Sequence, residues 1–116
     1  MTTVFYVFVG GGLGSLLRYF ISISLLDYTF PFATLLSNLV SCIILGFFFV
    51  SVNQLTVQND LKLLLIIGFC GGLSTFSTFS YETINLLQAG YIYYAIANFL
   101  FNVLLCFAVI FFYLRN

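Results

Sequence analysis

The chain is a succession of long apolar runs separated by short polar gaps. The first run covers roughly residues 4–26 and closes on Asp27-Tyr28-Thr29. The second, roughly 32–52, follows Pro31, which suits the first turn of a helix because its missing N–H would be unpaired there anyway. Residues 53–60 (NQLTVQND) are the longest polar stretch and end on Asn59 and Asp60, both good helix caps. The third run covers roughly 61–88, Ala89-Gly90 makes the last turn, and the fourth covers roughly 91–114. Each run is about the 20 residues that a helix needs to cross a bilayer, or longer. The runs are continuous and do not alternate, which excludes a transmembrane β-barrel. The pattern predicts an all-α membrane protein with four transmembrane helices. Residues 1–116 then form a single transmembrane domain with both termini on one side, since the number of spans is even.

Composition sharpens this picture. Hydrophobic residues make up 63% of the chain and charged residues 5%, whereas a soluble domain carries roughly a quarter charged residues. Six charges cannot coat a water-facing surface, and disordered chains are polar and charge-rich. Net charge is zero and no basic run exists, so no nucleic-acid partner is expected. Cys42, Cys70 and Cys106 are an odd number, with no close pair in sequence, and each lies in an apolar run. They read as small core residues and not as disulfides or metal ligands. Met1-Thr2-Thr3 has no basic n-region, and no A-x-A-like cleavage site follows, so the first run is expected to be a retained span. Orientation is weakly specified. Lys62 and Arg115 flank the membrane on the side of the termini, and Arg18 lies inside the first run nearer the other side. Two basic residues against one leave both a fixed orientation and insertion in both directions open.

The third run carries the strongest chemical signal. Residues 68–80 (GFCGGLSTFSTFS) place three Gly, five Ser/Thr and three Phe in the middle of a span. As one helix, residues 61–88 would be about 42 Å long against a ~30 Å hydrocarbon core. A break in the middle is expected, with Gly allowing unusual backbone angles and Ser/Thr hydroxyls satisfying freed backbone groups. Such breaks expose carbonyls and N–H groups near the midplane, where transporters and channels place ion sites. Close helix packing through Gly and Ser is the simpler alternative, and the density of hydroxyls with the Phe76/Phe79 pair argues for function.

The other runs add polar stripes. Thr34, Ser37, Asn38 and Ser41 share one face of the second helix, and Tyr94, Asn98 and Asn102 share one face of the fourth. Each stripe can be interhelical glue or the lining of a path. In the first run Gly10 and Gly14 form a G-x-x-x-G pair, and Gly11, Ser15, Arg18 and Ser22 share a face. Arg18 inside a span must snorkel, face water or find a partner, and one attractive role is to draw anions into a vestibule. Glu82 is the only acid inside a span. It is either a salt-bridged or snorkelling carboxylate or a proton-coupling residue.

These residues resemble the Fluc/CrcB fluoride channels over essentially the whole chain. The resemblance rests on the Gly10-Gly11-Gly12-x-Gly14-x-x-x-Arg18-Tyr19 opening, on Asn38, and above all on the run from Gly71 to Ser80 followed by Glu82. Two departures stand out: Val40-Ser41 replaces a common Gly, and Asn98 and Asn102 stand where many members have Tyr and Ser. The resemblance implies a passive fluoride-selective channel of the cell membrane that exports fluoride and lowers its cytoplasmic concentration. It further implies an antiparallel, dual-topology dimer, homodimeric or formed with a paired homologous chain, with two pores each lined by both subunits. It places Asn38, Phe76, Ser77, Thr78 and Phe79 on the fluoride path, and the fourth-helix residues Asn98 and Asn102 are added to that path. Backbone carbonyls of Gly71 and Ser74 are implied as ligands of a structural Na⁺, so a bulky residue at Gly71 is expected to close the bend.

Fluoride chemistry agrees with this set. The ion is small and strongly hydrated, so a pore must replace its water with N–H and O–H donors and with the positive edges of aromatic rings. Fixed cations would hold it too tightly for conduction. The rival reading is a small four-span proton-coupled exporter, which needs a carboxylate in the membrane. The first span has none before Asp27, and only Glu82 remains for that role.

Overall fold

The computed structural model describes residues 2–52 and 59–115. The polar stretch expected to link the second and third helices lies almost wholly outside the described residues. Helix α1 spans Thr2–Ser24, α2 spans Phe32–Val52, and α5 spans Ile92–Leu114. The third run is two helices. Its first half, residues 59–73 (α3), is built of Asn59–Lys62, a π-helical stretch Leu63–Cys70 and a final turn Gly71–Leu73, and its second half, α4, spans Phe76–Gln88. All four apolar runs are long and apolar enough to cross a membrane.

The helix ends explain themselves locally. α1 stops two residues before the expected boundary, where Leu25 N–H reaches the Ser22 carbonyl (3.3 Å) and tightens the last turn. Pro31 stands just ahead of α2 and not inside it, with its carbonyl accepting Leu35 N–H (3.3 Å). Asn59 and Asp60, expected as caps, are already helical. α4 ends in a Schellman turn at Gly90, whose φ of +91° only Gly adopts freely. There Tyr91 N–H bonds the Leu86 carbonyl (2.8 Å) and Gly90 N–H the Leu87 carbonyl (3.2 Å).

Packing is inverted relative to a soluble bundle. Thr34, Ser37, Ser41, Asn98 and Asn102 are buried, whereas Phe5, Phe8, Phe107 and Phe111 face outwards. Lipid tails welcome the apolar exterior, and interhelical hydrogen bonds hold the polar interior. α1 and α3 touch backbone to backbone. A Cβ on Gly10 would run into the Leu64 carbonyl, one on Gly14 into the Phe69 carbonyl, and one on Gly72 into the Gly11 carbonyl. From Gly10 to Gly14 the contacts step by four residues on α1 and by five on α3, from Leu64 to Phe69, as fits the wider π turn there. α2 and α5 run side by side in the same direction, with Asn38 against Asn102 and Gly46 under the Tyr113 ring.

Candidate functional site

The break lies at Ser74 (φ −81°, ψ 155°) and Thr75 (φ −152°, ψ 124°), both extended. The glycines do not make it. Gly71 keeps helical angles (φ −65°, ψ −34°), and Gly90 is the one positive-φ residue among those described. The bend is made by residues whose hydroxyls replace helical hydrogen bonds. Thr75 Oγ1 accepts Thr78 N–H (3.1 Å) and so caps α4. Ser74 Oγ donates to the Cys70 carbonyl (2.8 Å), which also accepts Ser74 N–H (3.0 Å) and Ser41 Oγ (2.9 Å). A Cβ at Gly71 meets nothing within 4 Å, and the bend itself lies at Ser74 and Thr75.

Thr75 N–H, which an unbroken helix would aim at the Gly71 carbonyl, donates instead to Asn38 Oδ1 (2.9 Å). From that point a directed chain of side chains crosses the bundle. Asn38 Nδ2 donates to Asn102 Oδ1 (2.8 Å), and Asn102 Nδ2 to Asn98 Oδ1 (2.9 Å) and the Asn98 carbonyl (2.8 Å). Asn98 Nδ2 donates to Thr83 Oγ1 (2.8 Å), which donates to the Phe79 carbonyl (2.8 Å). Both ends are backbone groups of fixed character, an N–H at Thr75 and a carbonyl at Phe79. Every amide between them is therefore oriented in one sense. Asn98 is wholly buried and Asn102 nearly so, and a buried hydrogen-bond network of this kind is rigid.

Beside this chain lies a groove of about 280 Å³, lined by Asn38, Ser74, Thr75, Phe76, Phe79 and Asn102 among others. None of its lining residues is charged. The Phe76 and Phe79 rings stand 5.7 Å apart at 57°, and Phe79 lies 6.1 Å from Phe99. Phe79 is buried, whereas Phe76 is 79% exposed, so the groove is open on the side of Phe76. Ser77 is exposed with its hydroxyl 3.3 Å from Thr75 Oγ1, and Thr78 is half-buried in the first turn of α4. The structure brings Asn38, Phe76, Phe79 and Asn102 to one groove, and Asn98 acts behind it.

Two residues lie elsewhere. Arg18 Nε donates to the Gly72 carbonyl (3.1 Å), which ties α1 to the turn before the break. This interior partner accounts for Arg18 in the membrane and leaves four of its five N–H groups for other uses. Glu82 lines a separate cavity of about 220 Å³ with Ser22, Pro31 and Asn85, away from the Asn38 groove. Its Oε1 is buried without a hydrogen-bond partner among the described residues.

Sequence reasoning missed Thr75 and Thr83 as members of the hydrogen-bond chain. Thr75 carried a usable signal, since Thr is a preferred N-cap residue and this one stands where the overlong span is expected to break. Thr83 carried none. Cys42 and Cys106, far apart in sequence, line the same groove on α2 and α5.

The family model described as CrcB-like protein, Camphor Resistance (CrcB), matches residues 5–113. The chain is similar to the fluoride-specific ion channel FluC of Phocaeicola vulgatus, 42% identical over 93 residues that cover 78% of this chain and 77% of the relative. It is 47% identical over 96 residues to the protein of the same name from Flavobacterium psychrophilum, covering 79% and 77%. The Pyrococcus abyssi protein, again a fluoride-specific ion channel FluC, is 43% identical over 113 residues, covering 96% and 92%.

Proposed function

This chain belongs to the CrcB-like family, and on that premise we infer that it conducts fluoride passively out of the cell. It is a multi-pass membrane protein and a fluoride channel, not an enzyme. The observation that carries the mechanism is the uncharged groove at the helix break. Hydrofluoric acid crosses the membrane as a neutral molecule and dissociates in the cytoplasm, where the anion is trapped, and a passive pore returns the anion along its gradient.

In the path we propose, fluoride sheds water against Asn38, Ser77 and Thr78 and passes the edges of Phe76 and Phe79. Asn38 Nδ2 has two N–H groups and spends one on Asn102, so the second faces the ion. Asn102, Asn98 and Thr83 hold that amide in place. Ring edges and neutral donors attract an anion without holding it, as conduction requires. Arg18 concentrates anions near the break. Glu82 takes no part in proton coupling, because it lies off the groove.

A second subunit inserted antiparallel completes the pore. The support is the open side of the groove, where Phe76 and Ser77 are exposed. We further propose a structural Na⁺ held by the Gly71 and Ser74 carbonyls of both subunits. The residues fit such an ion. Thr75 N–H is diverted from Gly71, Ser74 is extended, and the approach to Gly71 is open. Na⁺ is a hard cation suited to carbonyl oxygen, and when bound it would satisfy carbonyls that the break leaves free.

Substitution at the groove tests the path. Phe76→Ile, Phe79→Ile and Asn38→Leu should each lower fluoride efflux from liposomes by more than about tenfold while the protein stays folded in detergent. Undiminished efflux in all three variants contradicts the assignment.

A further inference from the structure

Two thiols in the groove have no part in the mechanism above. Cys42 and Cys106 both line it, next to Asn38 and Asn102. Their placement follows from helix geometry. α2 and α5 run in the same direction, and Asn38 bonds Asn102 across 64 residues of sequence. One turn further on along both helices stand Cys42 and Cys106, at the same separation. Both thiols line the groove one turn beyond the Asn38–Asn102 bond, both are half-buried, and both are free. Cys70 is buried and does not line the groove.

The set of donors selects the ligand. Among the described residues no group of three His, Cys, Asp or Glu side chains could hold a metal, which excludes the four-ligand sites that zinc prefers. Two facing sulfurs suit instead a soft ion content with two thiolates, such as Cu(I), Ag(I) or Hg(II). We propose that Cys42 and Cys106 form a two-thiolate site for a thiophilic metal ion in the wall of the fluoride groove, and that the bound metal shuts the path. On binding, each S–H bond breaks, two sulfur–metal bonds form and two protons leave; nothing is oxidised or reduced. The closure of the path rests on the fluoride-channel reading, whereas the metal site does not.

The test uses the whole protein in detergent with Hg²⁺ as probe, followed by a glutathione wash. Bound mercury is counted by intact-protein mass, and free thiols by maleimide labelling. The wild type should retain about one Hg per chain and leave one thiol, Cys70, free to label after denaturation. Cys42→Ser and Cys106→Ser should each lose the wash-resistant metal, and Cys70→Ser should keep it. Equal retention in the Cys42→Ser/Cys106→Ser double variant overturns the site. In liposomes Hg²⁺ should cut wild-type efflux by more than about tenfold, reversibly with a dithiol, and leave the double variant unaffected. Retained metal with undiminished efflux overturns the placement in the path. Absence of fluoride efflux from metal-free wild type refutes the channel reading, and the mercury count then still decides the site.

Discussion

Asn38 is held from two sides, by Thr75 N–H on its oxygen and by Asn102 on its nitrogen. Its remaining N–H is therefore aimed by the partners that hold the rest of the amide. The i, i+4 spacing of Asn98 and Asn102 already places them on one face, but sequence spacing within one helix says nothing about partners on another. Thr83 was unreadable for that reason, since its role depends on a helix reversal at Gly90 that brings Asn98 beside it. Asn102→Leu should orphan the Asn38 amide and the Asn98 oxygen, lowering thermal stability by about 1–3 kcal/mol and reducing efflux. Asn98→Leu should act in the same direction at greater distance. In a double-mutant cycle, Asn38→Leu with Asn102→Leu should cost less than the sum of the two, because each alone removes the shared bond. Full additivity, measured by thermal unfolding in detergent, would show that the chain is not a coupled unit.

At the scale of the helices, the break was readable because its hydroxyl-rich sequence stands in the middle of an overlong span. Its cause was not. Glycine flexibility is the obvious source, yet the turn is made by extended Ser74 and Thr75. The glycines serve instead to let α1 approach the backbone of α3. The π-helical stretch from Leu63 to Cys70 had no sequence signal, since an apolar run reads alike at either helical pitch. Substitution separates these roles. Gly10→Ala and Gly14→Ala drive a Cβ into backbone that cannot turn aside and should destabilise the fold by about 1–3 kcal/mol. Gly12→Ala meets nothing within 4 Å and should be neutral. Gly71→Ala also meets nothing within the chain, so it should leave the subunit's fold intact and impair only assembly. Thermal unfolding and cross-linking of the four variants check this ordering. A Gly71→Ala protein that cross-links and conducts like wild type would remove the second subunit from that surface.

At the scale of the whole molecule, a single chain presents a groove open on the side of Phe76. The four spans and the apolar exterior follow from hydropathy, because lipid contact demands little beyond apolar surface. Any assembly over that groove would be set by shape across an interface, which no periodicity within one chain encodes. If Na⁺ joins two subunits, exchanging it for a much larger cation should weaken cross-linking and efflux together, since an ion bound only by the assembled state stabilises it by mass action. Equal cross-linking and efflux after exhaustive sodium removal would contradict that site. The central claim is that this chain alone forms a fluoride-selective pore. Liposomes reconstituted with only this protein, loaded with potassium fluoride or potassium chloride and diluted into anion-free buffer with a potassium ionophore, measure it directly. The account predicts rapid fluoride efflux and chloride efflux slower by more than about tenfold. Equal rates for the two anions, or no fluoride efflux above that of protein-free liposomes, would contradict it.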